Sequence, residues 1–285
     1  MEALQGLFRP ATVQEAVGLL ARDPEARLLA GGATLVAMMN ARVAEPRALV
    51  SLSGIDEIRG IVRLPDGGVR IGAFTRHRET AAAVNVLTGE ASVLPHAASQ
   101  IANATVRNMG TIGGSIAFAD PGLDYPPALV AAGATIEIAS AGGTRTMPVR
   151  EFFVDWYTTA LEPGELVTAV LLPKPQPGAG FYAKHARVAG DYATASVACS
   201  LKADGYVRVA VGACGPTPLA NDEVDKLLCA DRSDAALAKA AAWLAEQADP
   251  LDDVRGSADY RRRLIAPLLA RAVRAAEGAL QGAKS

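Results

Sequence analysis

The chain has 285 residues, half of them hydrophobic, with 28 lysines and arginines against 30 aspartates and glutamates. That length and apolar content suffice for one large core or two modest ones, so two domains are expected. The near-neutral balance supplies no basic field, which argues against nucleic acid or an anionic membrane surface as a partner.

In chain order, "TVQEAVGLLA" predicts a helix in which Thr12 and Glu15 form a capping box and Val13, Ala16, Val17 and Leu20 share a stripe. "ARLLA" predicts a short buried strand. "TLVAMMNAR" predicts a helix capped by Thr34, and "ALVSL" a second strand, which makes a β-loop-α-β unit. "IVRLPDGGVRIGA" reads as a hairpin turning at Pro65 to Gly68, and "ATIEIASAGGTRTMPV" as another turning at Gly142 and Gly143. "LLPKPQPGAG", Leu171 to Gly180, has the composition of a semi-rigid connector and is read as a domain boundary.

Beyond it, "FYAKHARVAGDYATASVACSLKADGYVRVAVGACG" predicts an antiparallel sheet with a turn at Asp204 and Gly205. In "DYATASVACSL", strand alternation puts Tyr192, Thr194, Ser196 and Ala198 on one face. "SDAALAKAAAWLAEQA" and "SADYRRRLIAPLLARAVRAAEGAL" predict two closing helices. The whole reads as α+β.

No apolar run is long enough to span a bilayer, and the first residues lack a basic n-region followed by an apolar h-region, so a cytoplasmic protein is expected. Cys199, Cys214 and Cys229 form no C-x-x-C pair and are read as buried free thiols. His77, His96 and His185 have no metal-ligand spacing, so no metal site is expected.

Two loops share a pattern of apolar lead-in, Gly-Gly and a hydroxyl: "AGGAT", Ala30 to Thr34, and "TIGGS", Thr111 to Ser115. Glycines at a helix start let a diphosphate approach backbone N–H groups, and the hydroxyls of Thr34, Thr111 and Ser115 can add hydrogen bonds. Neither loop continues as a P-loop or as G-x-G-x-x-G. On glycine pattern alone, a pair of ordinary helix-entry turns stays open.

From end to end the chain resembles the FAD-binding medium subunit of the molybdenum hydroxylases, the family of carbon monoxide dehydrogenase and xanthine dehydrogenase. The resemblance is carried by "LLAGGATL", "VRNMGTIGGS", "ADPGLD", "EPGELVTAVLLP", "KHARVAGDYATA" and "YRRRLIAPLLARAV". Ala33 stands where the family often has a polar residue, and Ser115 where asparagine is commoner. The resemblance implies a two-subdomain FAD-binding domain of the PCMH (vanillyl-alcohol-oxidase-like) type over 1–175, with subdomains of about 1–57 and 58–175. It also implies a C-terminal domain over 178–285 with an antiparallel sheet packed by helices.

It further implies that Ala30, Gly31, Gly32, Ala33 and Thr34, flanked by Leu28, Leu29 and Leu35, hold the FAD diphosphate together with Gly110, Thr111, Ile112, Gly113, Gly114 and Ser115. Asp124 is implied to reach a ribose hydroxyl, with the cap of a following helix as the alternative. Ile101 is implied to pack near the adenine, and Lys184 to stand beside the flavin, with a surface ion pair to Asp191 as its plain alternative. Tyr192 is the implied catalytic residue, shielding the isoalloxazine and gating access to it. Arg107 is left between a partner contact, a phosphate contact and solvent.

The implied function is electron transfer through FAD in a heterotrimer during oxidation of a small substrate such as carbon monoxide or an aromatic N-heterocycle. The implied partners are a large molybdenum-cofactor subunit and a small [2Fe-2S] subunit, assembled as a dimer of heterotrimers with an external electron acceptor. Two rivals are a self-sufficient FAD-dependent reductase or oxidase and a non-enzymatic nucleotide-binding assembly subunit.

Overall fold

A computed structural model describes residues 6–282. The chain opens with β1 (Gly6–Phe8), α1 (Val13–Arg22), β2 (Arg27–Leu29), α2 (Leu35–Asn40) and β3 (Ala48–Ser51), whose strands form a parallel sheet in the order β1-β3-β2. The Thr12 cap forms, its Oγ1 accepting from the Glu15 amide, but the box does not close: Glu15 Oε2 accepts from the amide of Ala11, one residue before the cap, rather than from that of Thr12. Ala16, Val17 and Leu20 bury one face of α1 against β3 and the segment that follows it. The strand β2 is less buried than its composition suggested, with Arg27 exposed and both leucines half-buried.

The hairpin of β4 (Ile61–Arg63) and β5 (Val69–Gly72) turns where Asp66 accepts from the Gly68 amide. Helices α3 (His77–Ala82), α4 (Val93–Ser99), α5 (Ala104–Met109), α6 (Ile112–Phe118) and α7 (Tyr125–Ala131) follow. Then come the hairpin β6 (Thr135–Ser140) and β7 (Gly143–Pro148), α8 (Val149–Phe152), β8 (Phe153–Asp155), β9 (Thr158–Thr159) and β10 (Leu166–Leu172). The second hairpin turns at Ala141 and Gly142 rather than at the two glycines, because Gly143 pairs with Ser140 as the first residue of β7. Strands β4, β5, β10, β6 and β7 make a five-stranded antiparallel sheet with β10 at its centre, and α4, α6 and α7 pack in the same core.

Only Pro173 to Pro177 connects β10 to β11 (Gly178–His185). The strands β11, β12 (Ala195–Lys202) and β13 (Val207–Gly212) form an antiparallel sheet with β12 central. Helices α9 (Asp222–Ala230), α10 (Asp234–Gln247) and α11 (Ala258–Gly282) cover one face with a core of Val197, Cys199, Leu201, Ile265 and Leu269. On the other face Tyr182, Ala198 and Ala210 enter the core of α4 and α7, which ties the two parts of the chain together. This is the α+β architecture that the residues implied. Cys199 and Cys214 are buried, and burial pushes both thiols up to about 12, whereas Cys229 is only half-buried. Among the described residues no helix is long and apolar enough to cross a membrane.

Candidate functional site

The two diglycine loops pack side by side, Gly31 against Met109 and Gly110 and Gly114 beside Ala30, and both line one cavity of about 1280 Å³. The first is the β2–α2 connection and the second is the turn from α5 into α6. Leu28, Ala30 to Leu35, Gly110, Thr111, Gly113 to Ser115, Ile101, Asp124 and Tyr192 all line the cavity. Leu29 and Ile112 do not, and Ile112 is fully buried in the core. Lys184 reaches the cavity only through Asp124.

The glycines divide into two kinds. A methyl on Gly31 would overlap the Met109 carbonyl, one on Gly113 would come within 2.5 Å of Ala73 Cβ, and one on Gly110 within 2.5 Å of His77 Nε2. These three let the loops dock on their neighbours. Gly32, with φ +74°, supplies a left-handed turn. Gly114 is exposed to the cavity, and a methyl there would face only Thr111 Oγ1 at 3.0 Å and Ala30 Cβ at 3.5 Å, in the gap between the loops.

The donors divide as sharply. In the second loop the Ile112 and Gly113 amides donate to Thr75 and Ala73 carbonyls, the Gly114 amide to Thr111 Oγ1 and the Ser115 amide to the Thr111 carbonyl. In the first loop the amides of Gly31 to Thr34 have no protein acceptor among the described residues, and Thr34 stands at the cap position of α2 without a side-chain cap bond. The first loop therefore offers unspent donors and a free hydroxyl, while the second offers a side-chain-free wall at Gly114 and the Ser115 hydroxyl. A diphosphate fits such a cradle: anionic oxygens take the amides, and the missing side chains allow close approach.

Further along, Asp124 stands at the cap position of α7 but makes no cap bond, which corrects the capping alternative. Its Oδ1 instead accepts from Tyr182 Oη at 2.7 Å and lies 2.9 Å from Lys184 Nζ. Burial raises the Asp124 pKa and Lys184 pulls it back, a balance set by side chains only 7 % and 5 % exposed. The surface pair of Lys184 with Asp191 does not form, because Asp191 is held by Arg187 and Arg255. Arg107 is neither free nor aimed at the cavity: its Nη1 donates to the Ile101 and Ala102 carbonyls and clamps the turn that presents Ile101.

Tyr192 lies in the loop before β12 rather than on the strand, which begins only at Ala195. The ring packs on Gly122 of the "ADPGLD" segment, where a methyl would come within 3.3 Å of it, and Arg255 stands 5.1 Å from its centroid. Sequence reasoning missed Tyr157, Arg27 and His77, which also line the cavity. Tyr157 has φ +54° and donates to Asp120, and such a strained, exposed aromatic residue is a functional signal that only the backbone reveals. His77 is buried, and burial followed by the charge of Arg107 lowers its pKa to about 4, so it is neutral and packs against Gly110 and Tyr125.

A family model described as the FAD binding domain in molybdopterin dehydrogenase matches residues 2–175, and one described as the CO dehydrogenase flavoprotein C-terminal domain matches residues 180–276. The carbon monoxide dehydrogenase medium chain of Afipia carboxidovorans is 37% identical over 276 residues, covering 94% of this chain and 95% of its own. The glyceraldehyde dehydrogenase medium chain of Sulfolobus acidocaldarius is 35% identical over 269 residues, covering 93% and 95%. The solved carbon monoxide dehydrogenase of Hydrogenophaga pseudoflava that lacks the Mo-pyranopterin moiety superposes with a TM-score of 0.92 at 34% identity, covering 98% of this chain and 99% of that one. Fold, cradle and matches define a flavoprotein subunit of an oxidoreductase with FAD as its cofactor. The chain belongs to the FAD-binding medium subunits of the molybdenum hydroxylases.

Proposed function

We propose that this chain carries FAD between the iron–sulfur clusters of a small subunit and an external electron acceptor, in a complex whose large subunit holds the molybdenum cofactor. The observation that carries the reading is the pairing of unspent amides on the first loop with a side-chain-free wall on the adjoining second, both lining one cavity. When bound, FAD supplies the exchange between paired and single electrons that such a position requires.

This chain's own residues bind, orient and cover. The Gly31 to Thr34 amides and the Thr34 hydroxyl take the diphosphate oxygens, and Ile101, clamped by Arg107, presents an apolar surface to the adenine. Asp124 faces the cavity, offering an acceptor to a ribose hydroxyl while Tyr182 and Lys184 fix its carboxylate. Lys184 Nζ stands behind Asp124 in the buried pair, 2.9 Å from its Oδ1. Tyr192 covers the mouth and limits access of water and oxygen.

The substrate is oxidised elsewhere. Medium chains of carbon monoxide dehydrogenase and glyceraldehyde dehydrogenase are similarly close to this chain, which fits one flavin module serving different large subunits. Among the described residues no group of three or more His, Cys, Asp or Glu side chains can hold a metal ion. Carbon monoxide or an aromatic N-heterocycle remains the substrate class, and a dimer of heterotrimers the assembly. The test is purification from the native source through a tag on this chain. Co-purifying large and small chains that carry the molybdenum and iron, in a complex of two of each, support the reading. Recovery of this chain alone, with flavin turnover of its own, contradicts it.

A further inference from the structure

The Tyr192 loop is tied to a segment distant in sequence, the connection between α10 and α11. There the Arg255 guanidinium stands 5.1 Å from the Tyr192 ring centroid, and its Nε lies 3.5 Å from Asp191 Oδ1. The same Asp191 oxygen accepts from the Tyr192 amide at 2.8 Å. One guanidinium thus holds both the ring and the carboxylate that holds the backbone beneath it.

The surroundings lock this arrangement from both sides. Arg187 donates through Nε and Nη2 to the other Asp191 oxygen, at 3.2 and 3.1 Å, and through Nη1 to the Val254 carbonyl at 3.2 Å. Asp253 accepts from the Arg255 amide at 2.7 Å and is itself paired with the buried Arg261 of α11. Burial alone would raise the Asp191 pKa, but the Tyr192 amide and the two arginines outweigh it and hold the carboxylate below its usual range, so it stays charged for both partners. Gly190, at φ +84°, brings the loop so close to the Ala102 carbonyl that a methyl there would come within 2.8 Å of it. The Tyr192 hydroxyl has no hydrogen-bond partner among the described residues, and its ring lies between Gly122 and the Arg255 guanidinium.

We propose that Arg255 is a positioning residue that sets the Tyr192 ring across the mouth of the FAD cavity, acting through the ring itself and through Asp191. The proposal rests on the reading that Tyr192 covers the cofactor. Removing the guanidinium takes away the cation–π contact and two ion pairs, one to Asp253 and one to Asp191; the contact with the ring and the partly buried pair with Asp191 bear on the Tyr192 loop and together correspond to about a fivefold to thirtyfold change in the population of the held conformation. Lysine keeps the charge but loses the planar group that stacks on the ring while reaching the carboxylate, so Arg255→Lys restores the arrangement only in part.

Two measurements on the full complex test this. Hydrogen exchange of the segment 187–194, with and without FAD, should rise about fivefold to thirtyfold in Arg255→Ala and less in Arg255→Lys, read at the Tyr192 amide. Oxygen-driven reoxidation of the dithionite-reduced complex should change in the same direction in Arg255→Ala and Tyr192→Ala, and the double variant should match Tyr192→Ala alone. Unchanged exchange in Arg255→Ala overturns the proposal whatever the flavin does, as does a double variant whose effects add. Raised exchange in Arg255→Ala with no change of reoxidation in Tyr192→Ala supports the clamp and overturns only the covering role of Tyr192.

Discussion

Gly114 separates folding from cofactor binding, because it is the diglycine position where a side chain meets neither backbone nor a rigid neighbour. It is the third residue of α6, and replacing a helical glycine by alanine stabilises by about 0.5–1 kcal/mol. The only tight neighbour is the Thr111 hydroxyl at 3.0 Å, which has to move by a few tenths of an ångström, so Gly114→Ala should melt at or slightly above the wild-type temperature. Gly114→Asp places a carboxylate in the first turn of the helix, where the dipole favours it by about 0.3–1 kcal/mol, so it too should fold. The cofactor feels the opposite effect. A carboxylate about 5 Å from one diphosphate charge is repelled by about 3 kcal/mol at an effective dielectric of 20, which corresponds to a Kd raised on the order of a hundredfold. The assay is FAD titration of the deflavinated complex by flavin fluorescence, with thermal melts of the same samples. A well-folded Gly114→Asp variant with a Kd within threefold of wild type would refute the diphosphate seat.

Three further outcomes follow from the same geometry. Gly31→Ala forces its methyl into the Met109 carbonyl, so it should lose about 1–3 kcal/mol by overpacking and melt roughly 3–10 °C lower, the reverse of Gly114→Ala in a parallel melt. Lys184→Met strands the buried Asp124 carboxylate at a cost of about 3–5 kcal/mol, and adding Asp124→Leu should recover part of it in the same melts. His77 and Asp225 should give opposing pH slopes. With its folded pKa near 4, His77 loses stability as pH falls from 6.5 toward 4, because the unfolded chain takes the proton first. Asp225, which burial pushes up to about 6, contributes more as pH falls from 6 toward 3.8. Each spans about 3 kcal/mol, so melts from pH 7 to pH 4 should show His77→Gln gaining relative to wild type and Asp225→Asn losing.

What was legible in the sequence is what local chemistry determines. Thr12 with Glu15, Asp66 before Gly67 and Gly68, and Ser233 before α10 announce their elements because the cap or turn bond closes within three residues. The start of α9 carries such a signal too, in Asn221 capping an acidic first turn. The diglycine loops were legible as a pair, but not the division of labour between Gly31, Gly110 and Gly113, which accommodate neighbours, and Gly32 and Gly114, which shape the cradle. Nor could spacing reveal that Lys184 pairs with Asp124, sixty residues away, rather than with nearby Asp191. Tyr192 reads as a strand residue because the alternation of β12 runs backward into its loop, whereas the guanidinium that meets its ring belongs to Arg255, beyond two intervening helices.

The most direct test of the account is the flavin content of the complex purified through a tag on this chain, with the protein denatured and removed and the flavin left in the supernatant identified by mass. The account predicts FAD, released without proteolysis, at about one per copy of this chain, with iron and molybdenum found in the intact complex before denaturation. FMN in its place, or no flavin retained after incubation with FAD, would contradict it.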